Sequence, residues 1–398
     1  MMQPARKKLA IITTFWDWRS HANHMSERFF SGYPRNGHWH RPEMDIVSAY
    51  VDQRPEADLS GQRAREHGFN VYPTIAEALR MGSNKLAVDA VLLIAEHGDY
   101  PVNEKSQKLY PRFEFFSQIV EVFRQDGCAV PVFNDKHLSY SFDSALTMVA
   151  SAQELDFPLL AGSSLPVTFR LPALELPLEC EMEEALMVGV GGSDAMDFHA
   201  LEAMQCMVER RSGGETGVRS VQLIDGDEVW RAGEDKRWSR RLLEAALARS
   251  DSRGGIALDD GRPQDLVHNG ELEALAENPA AYLIEYNDGL RATLLMLDGA
   301  VQDYTFAARL RGVRAVQSTQ FLLPPAPNVT YSACLMAAAE EMFTTGRAPW
   351  PAERTLLTSG ILDRCLDSRL NGHQRLATPE LNVCYRSPNS SSFCGAVV

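Results

Sequence analysis

The sequence predicts a two-domain protein in which a parallel α/β domain is followed by an α+β domain with a large, mostly antiparallel open sheet. Three observations lead to this prediction. The chain has 398 residues, more than one hydrophobic core usually supports. Short apolar runs alternate with helical patterns as far as Leu160, which is the order of a parallel sheet with crossover helices. Beyond Arg170, Asx-Gly pairs separate β-rich runs and indicate hairpins.

The strands of the first domain are predicted from runs that are apolar throughout, because a parallel sheet is covered on both faces. Segments with helical periodicity lie between these runs and provide the crossovers. The predicted strands are Leu9–Ile12, Ile46–Val51, Ala90–Ile94 and Val130–Phe133, and the run Pro158-Leu159-Leu160 follows the last helix of the domain. The predicted helices are Ser20–Phe30, Asp58–His67, Ile75–Arg80, Phe113–Gln125 and Ala145–Leu155.

The second domain begins with the proline-rich residues Leu171–Leu178, which predict a linker or an extended edge. A strand at Glu184–Val190 and a helix at Phe198–Arg210 follow. Further strands are predicted from runs beside Asx-Gly pairs. These runs are Val218–Ile224 and Glu228–Arg231 around Asp225-Gly226, Ala281–Tyr286 and Arg291–Leu297 around Asn287-Asp288-Gly289, and Ala300–Ala308 after Asp298-Gly299. The closing helices are predicted at Thr330–Phe343 and Glu353–Leu370.

The composition is that of a globular protein with a small-molecule ligand. Hydrophobic residues make up 45% of the chain and charged residues 23%, which separates it from disordered compositions. The net charge of −14 argues against a nucleic acid or an anionic membrane as partner, because both attract basic surfaces. The apolar run after the first lysines is too short for a signal peptide or a membrane span, so we expect a cytoplasmic protein.

Several short motifs follow one another in order along the chain. The N-terminal ones are Ile11–Ala22, Tyr50-Val51-Asp52, Tyr72–Leu79, Val88–Ile94 and Val132-Phe133-Asn134-Asp135-Lys136-His137. The C-terminal ones are Asp197-Phe198-His199, Trp350–Leu357 and Thr378-Pro379-Glu380-Leu381. Together, over residues 8 to 385, they resemble the Gfo/Idh/MocA family of sugar and polyol dehydrogenases.

The resemblance implies a Rossmann-like domain at residues 1–165 and a C-terminal sheet domain at residues 166–398. It also implies NAD or NADP as cofactor, and redox or transient redox chemistry on a sugar-like small molecule. Because open sheets in this family commonly pair face to face, it further implies a homodimer or homotetramer.

The turn after the first strand departs from the family's G-x-G-x-x-G pattern, because Thr13, Phe15 and Trp18 stand at the glycine positions. Those glycines allow a tight turn, a close approach of the pyrophosphate and a close contact between helix and strand. We expect the ring of Phe15 to take the place of a phosphate oxygen and Trp18 to thicken the helix–strand contact. An anion can still bind beside Arg19 at the start of the next helix. The cofactor-binding candidates are Thr13, Thr14, Phe15, Arg19, Asp52 and Glu96.

The catalytic candidates are Lys136, His199 and His97. Lys136 matches the lysine of the family's E-K-P motif and ends a central strand, at the edge where parallel sheets bind ligands. A lysine there orients a substrate hydroxyl or passes a proton. His199 matches a histidine that faces the substrate in the family, and it can act as acid or base near neutral pH. Glu202 lies one turn later on the same helix face and can orient that imidazole.

The loop after Ala90–Ile94 concentrates titratable groups and is longer than an ordinary βα connection, which favours a functional role. This loop can bind a polyol or, alternatively, a divalent metal. His21 and His24 also suggest metal ligands, but no cysteine or carboxylate spacing completes a site, so no metal ligand is assigned. The substrate-binding candidates are Asp99, Tyr100, Ser163, Arg170, Asp197 and Glu202.

Three functional hypotheses stay open at the level of sequence. The first is an NAD(P)-dependent oxidoreductase-like enzyme on a sugar or polyol. The second is a non-redox lyase, isomerase or hydrolase on a sugar-like substrate, with or without a metal, in which nucleotide binding has been lost. The third is a sugar-sensing protein without activity, against which the density of titratable groups argues.

Overall fold

The computed structural model describes residues 6–254, 265–324 and 329–394. In chain order the strands are β1 (Lys7–Phe15), β2 (Tyr33–Arg35), β3 (His38–His40), β4 (Met44–Gln53), β5 (Asn70–Tyr72), β6 (Ala90–Ile94), β7 (Val132–Asp135), β8 (Leu159–Gly162), β9 (Arg170–Leu171), β10 (Met182–Gly189), β11 (Val218–Asp225), β12 (Ala280–Tyr286), β13 (Arg291–Met296), β14 (Tyr304–Leu310), β15 (Gln317–Phe321) and β16 (Leu376–Ala377).

The helices are α1 (His21–Phe30), α2 (Ser60–His67), α3 (Ile75–Arg80), α4 (Arg112–Asp126), α5 (Phe142–Glu154), α6 (Asp194–Val208), α7 (Asp227–Glu234), α8 (Arg240–Leu247), α9 (Glu271–Leu275), α10 (Thr330–Thr345) and α11 (Ala352–Leu370). Short 3₁₀ turns lie at Leu165–Val167 and Pro379–Leu381. Across the described ranges, each helix is too short or too polar to cross a membrane.

The chain divides into two compact units. The first unit contains Met1–Gly162 and Pro324–Leu356, and the second contains Ser163–Leu323 and Leu357–Val398. The helix α10 therefore belongs to the first unit, although it follows most of the second unit in sequence.

The first unit is built on a parallel sheet with the strand order β5-β4-β1-β6-β7-β8. All of its strand pairs are parallel, so the carboxyl ends of the strands meet at one edge. The central strands β1 and β6 are inaccessible to water along Leu9–Ile12 and Val91–Ile94, as their apolar sequences predict. The parallel α/β prediction is confirmed.

Capping side chains define where several helices of this unit begin and end. Ser20 accepts a hydrogen bond from the N–H of Asn23 at the start of α1, and Ser141 accepts one from Ser144 at the start of α5. The helix α4 ends at Gly127, whose φ of 69° is in the left-handed region that glycine adopts without strain. The helix boundaries therefore follow from local sequence.

The second unit is built on a sheet with the strand order β16-β11-β12-β13-β10-β14-β15-β9. The pair β10–β13 is parallel and the other neighbouring pairs are antiparallel, so the prediction of a mostly antiparallel sheet is confirmed. The predicted hairpin around Asn287-Asp288-Gly289 is the antiparallel pair β12–β13. The core of the unit lies between one face of this sheet and the helices α7, α8 and α9.

Two strand predictions in the second unit are wrong. After Gly226 the chain forms α7 instead of a second hairpin strand, because Val229, Ala232 and Gly233 lie on one helix face that packs into the core. Gly233 lies so close to the ring of Trp238 that a Cβ atom would be 2.4 Å from it. The other error is the run Ala300–Ala308, of which only the part from Tyr304 is a strand, paired with β10 and β15.

Candidate active site

Polar residues of three adjacent strands meet at the carboxyl edge of the first sheet. Thr13 and Thr14 lie near the end of β1, Glu96 follows β6, and Asp135 with Lys136 lies at the end of β7. Because β1, β6 and β7 are neighbours and run parallel, their ends lie side by side. The edge is therefore the candidate active site, as expected for ligands of an open parallel sheet.

His21 and Asp135 form a hydrogen-bonded pair at this edge. The Nδ1 atom of His21 is 2.6 Å from Oδ2 of Asp135, and their side chains are 17% and 2% exposed. Burial, followed by the charge of Lys136, holds the pKa of His21 well below its ordinary value, so the imidazole is neutral. Its Nδ1–H donates to the carboxylate, which leaves the lone pair on Nε2. Such an imidazole can accept a proton from a ligand.

Glu96 lies between two buried cations. It forms an ion pair with the guanidinium of Arg112, and its Oε1 atom is 3.8 Å from Nζ of Lys136. Burial raises the pKa of Glu96, but the charges of Lys136 and Arg112 outweigh burial and leave this pKa below its ordinary value. The Nη1 atom of Arg112 also lies 3.1 Å from Nε2 of His137, which accepts this bond because burial, followed by the charge of Arg112, keeps the imidazole neutral.

Two of the sequence-predicted catalytic residues have left-handed backbones. Lys136 has φ of 64° and His97 has φ of 71°. The N–H of Lys136 donates to the carbonyl of Gly162 at 3.1 Å, which holds the residue in this conformation. Non-glycine residues in this region cost about 1–3 kcal/mol and persist where surrounding structure holds them, which is common at functional sites.

The histidines around His21 complete the edge. The ring centroids of His24 and His97 are 4.9 Å and 5.1 Å from that of His21. The Nε2 atom of His97 is buried without a hydrogen-bond partner among the described residues. Burial is the main cause that lowers the pKa of His24 to about 2. Within the described ranges, no group of three or more His, Cys, Asp or Glu residues has the geometry to hold a metal ion.

The turn after β1 uses its own polar groups instead of presenting them to a ligand. Hydroxyls of Thr13 and Thr14 donate to the carbonyls of Ile94 and Glu96, both at 2.8 Å, and so tie β1 to the chain around β6. The N–H of Asp17 donates to Oγ of Ser20. Further along, the N–H of Trp18 donates to the Asp17 carboxylate, and Arg19 has φ of 62°. Several amides that would face a pyrophosphate are thus already bonded.

The aromatic residues of this turn are not placed as the sequence predicts. Trp18 is 69% exposed, so the expectation that it thickens the helix–strand contact is wrong. Trp16 is fully buried instead, where its ring stacks on Phe69 at 5.9 Å and its carbonyl accepts the N–H of Leu59 at 2.8 Å. Phe15 is only partly buried. The aromatic side chain that is buried at this turn is therefore Trp16 and not Phe15.

Asp52 lies at the end of β4, next to the turn, and both of its carboxylate oxygens are hydrogen-bonded. Tyr50 donates its hydroxyl to Oδ1 at 2.8 Å, and Tyr100 donates its hydroxyl to Oδ2 at 2.6 Å. The adjacent Gln53 makes two hydrogen bonds of 2.8 Å with the backbone of Asp99. In Rossmann folds an acidic residue at this strand end accepts the ribose hydroxyls of the adenosine. Asp52 is exposed, and each carboxylate oxygen has a second lone pair, so these bonds leave acceptors that a ribose hydroxyl could use.

In the second unit, the structure brings three of the predicted residues together. The Oγ atom of Ser163 is 2.6 Å from Nδ1 of His199. The carboxylate of Glu202 is buried, and it accepts hydrogen bonds from the N–H of Ser163 at 3.3 Å and from the hydroxyl of Thr358 at 2.6 Å. Ser163 thereby fixes one ring nitrogen of His199, and Glu202 orients the backbone of Ser163.

The other two predicted residues of this unit have different partners. Asp197 accepts a hydrogen bond from the hydroxyl of Tyr282 at 2.5 Å, and burial raises its pKa to about 7. Arg170 is buried, donates to the carbonyls of Leu174 and Pro166 at 3.0 Å and 3.2 Å, and lies over an aromatic ring. These contacts stabilise the local structure around Arg170.

His21, Asp135 and Arg112 are functional candidates that sequence reasoning missed in these roles. In the sequence, His21 stood out as a metal-ligand candidate and as part of the motif Ile11–Ala22, and Asp135 as the residue before Lys136 in its motif. A signal was present, because a histidine at the start of α1 and an aspartate at the end of β7 must share one edge of a parallel sheet.

Comparison with known proteins identifies the fold. No family model matches the sequence, and no curated protein matches it. Solved structures match over nearly the whole chain. GenD2 from gentamicin A biosynthesis, in complex with NAD, is 12% identical with a TM-score of 0.57, covering 95% of this chain and 97% of that one.

Two inositol dehydrogenases are similar in the same way. The myo-inositol dehydrogenase from Lactobacillus casei, in complex with NAD(H) and myo-inositol, is 10% identical with a TM-score of 0.55, covering 94% of this chain and 96% of that one. The one from Corynebacterium glutamicum ATCC 13032 is 8% identical with a TM-score of 0.53, covering 94% and 98%. This chain therefore has the two-domain fold of the Gfo/Idh/MocA-type dehydrogenases.

Proposed function

We propose that the protein is an oxidoreductase-like enzyme that removes a proton from a hydroxyl group of a sugar or polyol-type substrate at the carboxyl edge of the first sheet. The observation that carries this proposal is the His21–Asp135 pair, with a separation of 2.6 Å, beside the buried Lys136. The fold supports it, because the solved structures of that fold include dehydrogenases named for myo-inositol.

Each residue of this edge has a separate role in the proton transfer. His21 accepts the hydroxyl proton at Nε2, and the carboxylate of Asp135 stabilises the imidazolium that forms. The ammonium group of Lys136 stabilises the negative charge that develops on the substrate oxygen. Glu96, paired with Arg112, balances these buried cations and holds Lys136 in place. His97 lies beside His21 and is a further polar side chain of the site.

For the redox step the resemblance implies NAD or NADP, and the complexes of GenD2 and of the Lactobacillus casei enzyme support a nicotinamide cofactor. The turn after β1 does not fit the pyrophosphate of such a nucleotide, because its amides at Asp17 and Trp18 are bonded to side chains of the turn. We therefore assign no step to the nucleotide. The bonded turn amides favour a second candidate function, a non-redox lyase, isomerase or hydrolase that uses the same proton acceptor.

The experiment that tests the proposal is a screen of inositols, aldoses and sugar acids with the purified protein. Each substrate is incubated with NAD, with NADP, with a divalent metal and with no addition, and products are identified by mass spectrometry. Loss of two hydrogens identifies oxidation, loss of water identifies a lyase, and an unchanged mass at a new retention time identifies an isomerase. A hydrolase splits its substrate with the gain of water.

The matched variants are His21→Ala and His38→Ala. We expect His21→Ala to lower turnover by about 10²-fold or more, which is the size of a general-base contribution. His38 lies on the exposed β3 strand, so its replacement should leave turnover unchanged. The proposal fails if none of these substrates is converted, or if both variants turn over at the wild-type rate.

The assembly and location are also proposals. The family resemblance supports a homodimer or homotetramer, and the sequence supports a cytoplasmic protein. Native mass spectrometry and fractionation of the source cells test these two proposals.

A further inference from the structure

We infer that the second unit has a binding site for a small oxyanion with two or three negative charges, on the face of its sheet that carries α7, α8 and α9. The site is a cavity of about 180 Å³ at one end of β11, β12 and β13. Arg237, Arg291 and Arg375 line it, and we call these three residues the arginine cluster. The inference goes beyond the proposed function, because the cluster belongs to a different unit from His21 and Asp135.

The alternation of side chains along the three strands explains why a cavity forms here. Residues that are paired across the strands form rows, and every second residue of a strand points to the same face. On the face that carries the helices, an apolar row is followed by a mixed row and then by a polar row. These rows are Ile224–Ala281–Leu295, Gln222–Leu283–Thr293 and Ser220–Glu285–Arg291. The first row is part of the core under the helices, and the cavity lies over the other two.

The turn after α7 brings Arg237 to this face. Lys236 in this turn has φ of 60°, and the N–H of Arg237 donates to the carbonyl of Ala232 at 2.8 Å. The next residue, Trp238, is buried in the core of the unit. Arg237 is held by the turn on one side and by a buried ring on the other, and its Nη2 donates to the side-chain oxygen of Gln222.

Arg375 approaches the cavity from the strand β16, which it precedes and which pairs with β11. Its Nε donates to Oγ of Ser220 at 3.0 Å, and its guanidinium forms an ion pair with Glu285. The Nη1 atom of Arg219 lies 3.5 Å from the same carboxylate. Glu285 is the one carboxylate among the described residues that line the cavity. Because two other arginines balance it, it does not neutralise Arg237 or Arg291.

Arg237 and Arg291 keep hydrogen-bond donors for a ligand. A guanidinium has five N–H donors in a planar fork that suits the oxygens of phosphate and carboxylate groups. Arg237 uses one of these donors on Gln222, and Arg291 makes no side-chain hydrogen bond with the described residues. Their ion-pair partners, Glu228 and Glu184, are 3.8 Å and 3.9 Å away, beyond hydrogen-bond distance. Exposed ion pairs of this kind contribute little, so an oxyanion can displace them.

Charge and size define the class of ligand. Three guanidinium groups and one carboxylate leave a surplus of positive charge in the cavity, in a chain whose net charge is −14. A phosphate monoester or a polycarboxylate neutralises this surplus, whereas a neutral sugar does not. The volume lies below the range of about 300–1,000 Å³ that is usual for drug-sized ligands, which favours a small anion.

Calorimetry of the full-length protein at low ionic strength, where charge interactions are least screened, tests the inference. The probes are glycerol 3-phosphate, citrate and, as the neutral control, glycerol. We expect one of the two anions or both to bind at a single site with a Kd of about 1 mM or tighter, and glycerol not to bind. The anion that binds more tightly identifies the ligand as a phosphate ester or as a polycarboxylate.

The double variant Arg237→Ala/Arg291→Ala removes the two forks that keep donors, so we expect the bound anion to bind at least about tenfold more weakly. The matched control is Arg311→Ala/Arg386→Ala, which removes the same number of charges from exposed residues outside the cavity and should leave the Kd within about twofold of wild type. Thermal unfolding confirms that both double variants fold.

The inference is overturned if neither anion binds at about 10 mM, or if the two double variants lose affinity equally. It is also overturned if sedimentation shows that wild type self-associates through the arginine cluster, with the association lost in Arg237→Ala/Arg291→Ala and no anion bound. Because these readouts need neither a substrate nor turnover, a failed substrate screen would overturn the proposed function and leave this result unaffected.

Discussion

The two halves of the carboxyl edge of the first sheet differ in how their polar groups are satisfied. On the β6–β7 side, Glu96, Lys136 and Asp135 are buried beside opposite charges and neutral imidazoles. One of these imidazoles, that of His97, has a ring nitrogen without a hydrogen-bond partner among the described residues. On the β1–β4 side, the turn amides and Asp52 are bonded to neighbouring side chains. The difference teaches that buried charges are concentrated on the β6–β7 side, whereas the β1–β4 side bonds its polar groups within the turn and its neighbours.

The largest expected effect is that of Asp135→Asn on turnover. The amide still reaches His21 but no longer stabilises an imidazolium and favours the wrong tautomer, so we expect kcat to fall by about 10³-fold or more. Kinetics with the substrate found in the screen measure this effect, and circular dichroism confirms folding. Asp52→Asn, on the β1–β4 side, is the matched control and should change kcat by less than about threefold. Equal losses in the two variants would contradict the division into two halves.

The next largest effect is that of Glu96→Gln on stability. Removing this charge leaves Arg112 and Lys136 buried without their shared counterion, which costs about 3–5 kcal/mol of unfolding free energy. Urea unfolding at pH 7 measures it. The control is Glu66→Gln on the exposed face of α2, for which a change near zero is expected.

Glu96 also predicts a pH dependence. Because its folded pKa lies below the ordinary value of about 4.5, its contribution to stability is complete above that pH and is lost as the pH falls through the folded pKa. The acid limb of the stability curve should therefore be shallower in Glu96→Gln than in wild type. An unchanged acid limb would show that other groups control acid unfolding.

The smallest expected effect concerns His24. Burial is the main cause that lowers the pKa of this residue from 6.5 to about 2. A group with a lowered histidine pKa is neutral in the fold, so its contribution is present above about pH 6.5 and is lost as the pH falls toward 2. We expect His24→Gln to reduce the loss of unfolding free energy between pH 7 and pH 5 by about 1–2 kcal/mol. The exposed His38→Gln is the control. An equal change in this loss in both variants would show that the titration of His24 is not its cause.

Much of the fold could be predicted from the sequence. The helix Ile75–Arg80 and the strand Ala90–Ile94 have the predicted bounds, because uninterrupted apolar runs and capping residues act locally. The hairpin at Asp225-Gly226 was wrong, because an Asx-Gly pair also precedes a helix when the following apolar residues lie on one helical face. The packing of that face against the core decided the outcome.

The candidate site could be predicted less completely. The sequence by itself determined which residues end the strands, and therefore that Thr13, Glu96 and Lys136 share one edge of a parallel sheet. Only the tertiary structure decided that His21 bonds Asp135, 114 positions away, and that Tyr100 bonds Asp52, 48 positions away. The physical reason is that strand position follows from local hydrophobic periodicity, whereas hydrogen-bond partners depend on loop path and side-chain direction, which a linear pattern does not contain.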